Sequence, residues 1–216
     1  MSTPSRLDDS TGTHEHVLHR ISAELAVTFA GVFAAETIER YVFESYTSLA
    51  RTAKIKTYLP ILTRRFAKDR LYALAHAQGK QLSGVPEVLF VCVQNAGRSQ
   101  MAAALLKDLT QGAINVRSAG SMPSEHLDEN VVTAMDEIGV SLDEQFPKPL
   151  TDDVVQAADV VITMGCGDTC PIYPGKRYED WNISDPAALD LDGVRSVRDI
   201  LRTRVKDLAS GLVTLP

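Results

Sequence analysis

The sequence predicts an α/β protein: a four-stranded parallel sheet flanked by helices, preceded by a small three-helix domain. Three observations carry that expectation. From residue 87 onward, short apolar runs alternate with stretches of helical periodicity, the pattern of a parallel sheet covered on both faces. Ahead of them, residues 14–79 show helical periodicity alone. The charge also changes sign between the halves: residues 1–84 carry 11 Lys and Arg against 8 Asp and Glu, residues 85–216 carry 11 against 20.

Residues 1–13, rich in Ser, Thr and Asp, read as a disordered tail. Val17, Ile21 and Leu25 then share one helix face, followed by Ile38, Val42 and Leu49, and by Leu59, Leu62, Phe66 and Leu74. Pro60 falls where a first helical turn tolerates it, and Gly79 offers a stop. His14, His16 and His19 read as a solvated helix end. Arg64, Arg65, Lys68 and Arg70 form a basic stripe on the third helix, a solvated face or a dock for an acidic partner. Residues 80–86 read as a linker and 87–216 as the second domain. Its strands are EVLFVC, AINVRSAG, ADVVITMG and a weaker RYEDWNIS; helical patterns occupy 99–109, 126–138, 152–157 and 194–212.

Composition narrows the function classes. With 44% hydrophobic and 23% charged residues the chain reads as globular. No run approaches the roughly 18 apolar residues of a membrane span, and no secretory leader is visible. The acidic second half argues against nucleic-acid binding. Three cysteines, an odd and small number, argue for working thiols in a reducing cytoplasm rather than a disulfide scaffold.

In a parallel sheet every strand's C-terminal end lies on the same edge, where α/β proteins bind ligands. Cys92 follows the first predicted strand, Cys166 and Cys170 follow the third, and Asp185 follows the fourth. The stretch from Cys92 to Ser99 then reads as a strand, a loop and a helix N-terminus. Backbone N–H groups of Val93, Gln94, Asn95, Ala96 and Gly97 can point inward around a tetrahedral oxyanion. Arg98 adds a planar fork for two of its oxygens, and Ser99 can donate to the sulfur. Such surroundings favour a nucleophilic thiolate. Cys166 and Cys170, three residues apart, could instead ligate zinc or pack.

VLFVCVQNAGRSQMAAALL resembles the catalytic loop of the low-molecular-weight protein tyrosine phosphatases and of the thioredoxin-coupled arsenate reductases that share their fold. RSAGS and Asp185-Pro186 match the same family, in the family's order, and the resemblance covers about residues 86–212. It implies that Cys92 is the nucleophile, Arg98 the oxyanion binder and Asp185 the general acid, with Asn95 bracing the loop and Ser118 supporting it. TMGCGDTCPIYPG resembles the redox loop of arsenate reductases, and DPA replaces the DP-aromatic of phosphotyrosine enzymes. The reductase branch implies arsenate as substrate and no bound cofactor or metal. A Cys92–Cys166 and then a Cys166–Cys170 disulfide would form, with electrons from thioredoxin or from a low-molecular-weight thiol such as mycothiol. The phosphatase branch implies hydrolysis of phosphate monoesters through phospho-Cys92. A third reading keeps the cysteines as a metal or arsenic sensor. The resemblance leaves out residues 1–84, whose three amphipathic helices are expected to pack on the catalytic domain or to pair two copies of the chain.

Overall fold

The computed structural model describes residues 9–80, 84–165 and 170–213. The chain divides between Ala75 and His76 into two compact units.

The first unit contains α1 (Asp9–Thr28), α2 (Ala35–Ala50) and the larger part of α3 (Leu59–Ala77). Leu18, Ile21 and Leu25 of α1 and Phe29 just after it meet Ile38 and Val42 of α2 and Leu71 of α3 in one buried cluster. α1 begins at Asp9, inside the stretch read as a disordered tail, which is corrected for residues 9–13; they carry no apolar repeat that periodicity could register. The basic stripe does not form a uniform solvated face. Arg64 pairs with Glu24 at 3.1 Å. Arg70 is buried, with its guanidinium 4.5 Å from the centre of the Tyr41 ring and Nη1 donating to Ser45 Oγ. Its apolar stem and flat head pack like a core side chain. His19 pairs with Glu39 at 2.7 Å.

The second unit is the parallel sheet. Its strands are β1 (Glu87–Cys92), β2 (Asn115–Gly120), β3 (Val160–Met164) and β4 (Arg177–Asp180), in the order β2-β1-β3-β4. Every residue of β1 is buried, which explains its unbroken apolar run at the centre of the sheet. β4, an edge strand of only four residues and none of them buried, gave the weakest sequence signal for the same reason.

Between the strands lie α4 (Arg98–Thr110), α5 (Glu129–Asp136) and α6 (Asp152–Ala157), and α7 (Leu191–Ser210) closes the chain. α4 packs against α7 and against β1 and β2, around a core that includes Phe90, Met101, Leu106, Val194 and Leu201. Trp181 is buried against Phe90, so it packs the core rather than rimming the site. α5 is shorter than the 126–138 pattern because the Asp128 carboxylate accepts from the N–H groups of Asn130 and Val131 and starts the helix there. Asp190 caps α7 in the same way, four residues ahead of Val194, where the helical pattern starts in the sequence. No described helix is long and apolar enough to cross a membrane.

Candidate active site

β1 ends at Cys92 and α4 starts at Arg98, so five residues join the central strand to a helix N-terminus. The following connection fixes how they turn. Ser121 N–H donates to the Cys92 carbonyl (3.2 Å), Met122 to Val93 (2.9 Å), Ser124 to Gln94 (2.9 Å) and Asp128 to Ala96 (3.2 Å). The Asn95 carbonyl accepts from Gln100 Nε2 at 3.1 Å. All five carbonyls from Cys92 to Ala96 are therefore engaged on the outside of the loop. Across a planar trans peptide the next N–H points the opposite way, so the N–H groups of residues 93–97 face the concave side.

Asn95 holds the turn. It is fully buried and has a left-handed backbone (φ 49°), which asparagine accepts more readily than most residues. Its Oδ1 accepts from Lys148 N–H (2.8 Å) and from Gln100 Nε2 (3.0 Å), and its Nδ2 donates to Ser99 Oγ (2.8 Å). Ser99 Oγ lies 2.9 Å from Cys92 Sγ, and toward an ionised sulfur, which can only accept, it is the hydroxyl that donates. Asn95 N–H lies 3.2 Å from the same sulfur. An ionised Cys92 thus has two donors aimed at it from inside its own loop.

Arg98 is buried and its guanidinium is held on both sides. Nη2 donates to Asp185 Oδ2 (2.8 Å) and Nη1 to the Ile183 carbonyl (3.2 Å). Asp185 in turn caps the short 3-10 turn Pro186–Ala188, its Oδ1 accepting from Ala187 N–H at 3.2 Å. Cys92, Ser99, Arg98 and Asp185, spread over 93 positions in the sequence, are joined by these contacts.

Close approach, rather than a left-handed turn, explains the glycine before α4. Gly97 has φ −132°, and a Cβ there would lie 2.6 Å from Pro186 Cγ. The Asp-Pro pair seats directly on the loop because that side chain is missing. At the end of β2, a Cβ on Gly120 would lie 2.6 Å from the Val93 carbonyl oxygen, which accounts for the glycine of RSAGS. Ser118, read as a support, is buried, and its hydroxyl makes no hydrogen bond among the described residues. Support comes instead from residues the sequence did not single out: Gln100, whose Nε2 ties the loop to the Phe146 carbonyl (2.9 Å), and the Lys148 backbone.

Cys170 is buried. Cys166 and residues 167–169 lie outside the described residues. Among the described residues, no group of three or more His, Cys, Asp or Glu side chains is placed to hold a metal ion.

Comparison with known proteins places this geometry. Residues 87–214 match the family model for low molecular weight phosphotyrosine protein phosphatase, and residues 18–75 match a protein-tyrosine-phosphatase-like N-terminal domain. A thioredoxin-dependent arsenate reductase of Corynebacterium glutamicum superposes with a TM-score of 0.85 at 53% identity, covering 92% of this chain and 98% of that one. A tyrosine phosphatase of Erwinia amylovora aligns at 26% identity with a TM-score of 0.55, over 62% of this chain and 97% of its own. A glutaredoxin arsenate reductase of Synechocystis is 34% identical over 125 residues, 56% of this chain and 95% of the relative. Family model and loop geometry agree: the chain belongs to the low molecular weight phosphotyrosine protein phosphatase family.

Proposed function

We propose that this protein reduces arsenate to arsenite, for arsenic detoxification in the cytoplasm, with thioredoxin as the electron source. The observation that carries the reading is its 53% identity, over 92% of the chain, to an enzyme described as a thioredoxin-dependent arsenate reductase. A related structure, 32% identical, is described as an arsenate reductase in a phosphate-binding state, in keeping with a loop built for tetrahedral oxyanions.

Arsenate enters the concave side of residues 92–99 and takes over part of the Arg98 fork from Asp185. The Cys92 thiolate attacks arsenic, and Asp185 gives the proton with which one arsenate oxygen leaves as water. The Cys166 thiolate attacks Cys92 Sγ. The S–As bond breaks, its electron pair leaves with arsenic as arsenite, and a Cys92–Cys166 disulfide forms. Two sulfurs have lost the two electrons that arsenic gained. The Cys170 thiolate then attacks Cys166, freeing Cys92 as a thiolate and leaving a Cys166–Cys170 disulfide for thioredoxin to reduce.

Residues 14–79 form a separate domain in this reading and pair two copies of the chain; Val27, Ile55, Tyr58 and Ile61, all exposed in the first unit, supply apolar surface for that contact. The phosphatase reading shares the first step, and what supports it is the assembled set itself: a thiol beside Ser99 and the Arg98–Asp185 pair, the nucleophile, anion binder and acid that hydrolysis through phospho-Cys92 would use. Cys166→Ser and Cys170→Ser separate the two. Each variant should lose sustained arsenate-dependent NADPH oxidation with thioredoxin and its reductase. Sustained arsenite production by the double variant would overturn the cascade, whereas the phosphatase reading expects hydrolysis of phosphate esters to stay nearly unchanged in both variants.

A further inference from the structure

We propose that Gly165 is a positioning residue: it forms one wall of the seat that holds the Arg98 guanidinium for oxyanion binding. The inference rests on reading residues 92–99 as an oxyanion site, and it adds a residue that the loop motif does not contain.

The sheet register sets the geometry. Met164 is the last residue of β3 and is the strand partner of Cys92, so the next residue leaves the sheet beside the start of the loop. Gly165 does so with a left-handed backbone, φ 74°. A Cβ built on it would lie 3.0 Å from Arg98 Nη1, 3.8 Å from Cζ and 3.9 Å from Nη2. The space that a methyl group would take at this position is therefore bordered by Nη1, Cζ and Nη2 of the guanidinium.

An arginine head is usually mobile enough to step aside from a methyl group. This one has little freedom, because Nη1 donates to the Ile183 carbonyl and Nη2 to Asp185. Moving it by a few tenths of an ångström bends both bonds and turns the fork away from the loop N–H groups it must work with. Small displacements of a positioning group cost binding and rate steeply. Glycine at 165 thus serves two needs at once, a left-handed turn and an unobstructed face toward Arg98.

Any residue with a Cβ would strain that turn, so backbone strain and lost positioning need separate controls. Gly175 provides one: it has φ 81°, and a Cβ on it would meet nothing within 4 Å. Gly165→Ala and Gly175→Ala impose the same backbone strain, but only the first crowds Arg98. Gly165→Asn is the third variant, since asparagine accepts the left-handed region with less strain yet still places a Cβ against the guanidinium.

Inorganic phosphate, titrated into the reduced full-length protein, is the probe. Gly165→Ala should weaken phosphate binding by about tenfold or more and raise the arsenate KM in parallel, with kcat changed much less. Gly175→Ala should show a similar fall in Tm and bind phosphate as the wild type does. If Gly165→Ala fails to fold, Gly165→Asn should show the same loss of affinity. Phosphate affinity within twofold of wild type in both Gly165 variants overturns the proposal, as does an equal loss in Gly175→Ala. A wild-type protein that binds no phosphate overturns the oxyanion site itself, and the seat with it.

Discussion

The two ends of the parallel strands are built on opposite plans. At the N-terminal end, side chains lock to one another. Glu87, nearly inaccessible, accepts from Arg117 Nε and from Asn115 Nδ2, each at 3.0 Å, while the Asp159 carboxylate accepts Glu87 N–H at 2.9 Å. At the C-terminal end it is backbone that is organised. Five loop carbonyls are engaged on the outside, two residues take left-handed conformations, and the N–H groups face inward. The same four strands therefore carry a closed polar clamp at one edge and an open polar cradle at the other. Charged groups at the first edge satisfy one another, so their worth is stability; donors at the second edge face an open concave side and, in the proposed function, serve an oxyanion.

Breaking either edge should leave the other's property nearly intact. The largest effect is expected from Cys92→Ser, which removes the nucleophile that both candidate chemistries require. Turnover should fall by about 10⁴-fold or more, equivalent to at least about 5 kcal/mol of barrier, while the small change in volume leaves Tm close to wild type. A variant that keeps substantial arsenate reduction removes Cys92 from its role. Next comes Glu87→Ala at the opposite edge. Losing one member of a buried ion pair typically costs about 3–5 kcal/mol, so its denaturation midpoint should drop markedly. Its kcat, measured at a temperature where it is folded, should match wild type. An unchanged midpoint would mean the clamp contributes nothing.

The smallest effect lies away from both edges, between α5 and α7. Glu137 accepts from Arg195 and Arg198, and the hydrogen bonds from Arg195 hold its carboxyl below the usual value of 4.5. A carboxyl lowered in the folded state adds stability above its unfolded value and loses it as pH falls through the folded one. The Tm advantage of wild type over Glu137→Gln should be modest at pH 7 and vanish in acid. An advantage that grows in acid would reverse the assignment.

How much of this was legible in the sequence follows from what each feature is made of. β1 could be read because burial on both faces demands an apolar run, and the convergence of Asp185 on the loop after Cys92, where it meets Arg98, was expected from parallel topology. Arg98 and Ser99 were legible because their spacing from Cys92 is local. Gln100 and Lys148 were not, because a glutamine in a first helical turn and a backbone N–H 53 residues from its acceptor leave no pattern in residue type. The ladder from residues 121–128 onto the loop is hidden for the same reason: main-chain hydrogen bonds accept any side chain. Gly97 could be read for its N–H group, and only the packed Pro186 reveals the close approach it permits. Arg70 misled because one-dimensional periodicity counts charge and cannot see aromatic rings stacking on it.

The most direct test of the thiol cascade counts its products in one turnover. The reduced full-length chain, mixed with one equivalent of arsenate and no external reductant, should release one equivalent of arsenite and lose two of its three thiols. Peptide mapping should then find a Cys166–Cys170 disulfide and a Cys92 thiol. Arsenate consumed with all three thiols retained, or a final disulfide that includes Cys92, would contradict the cascade.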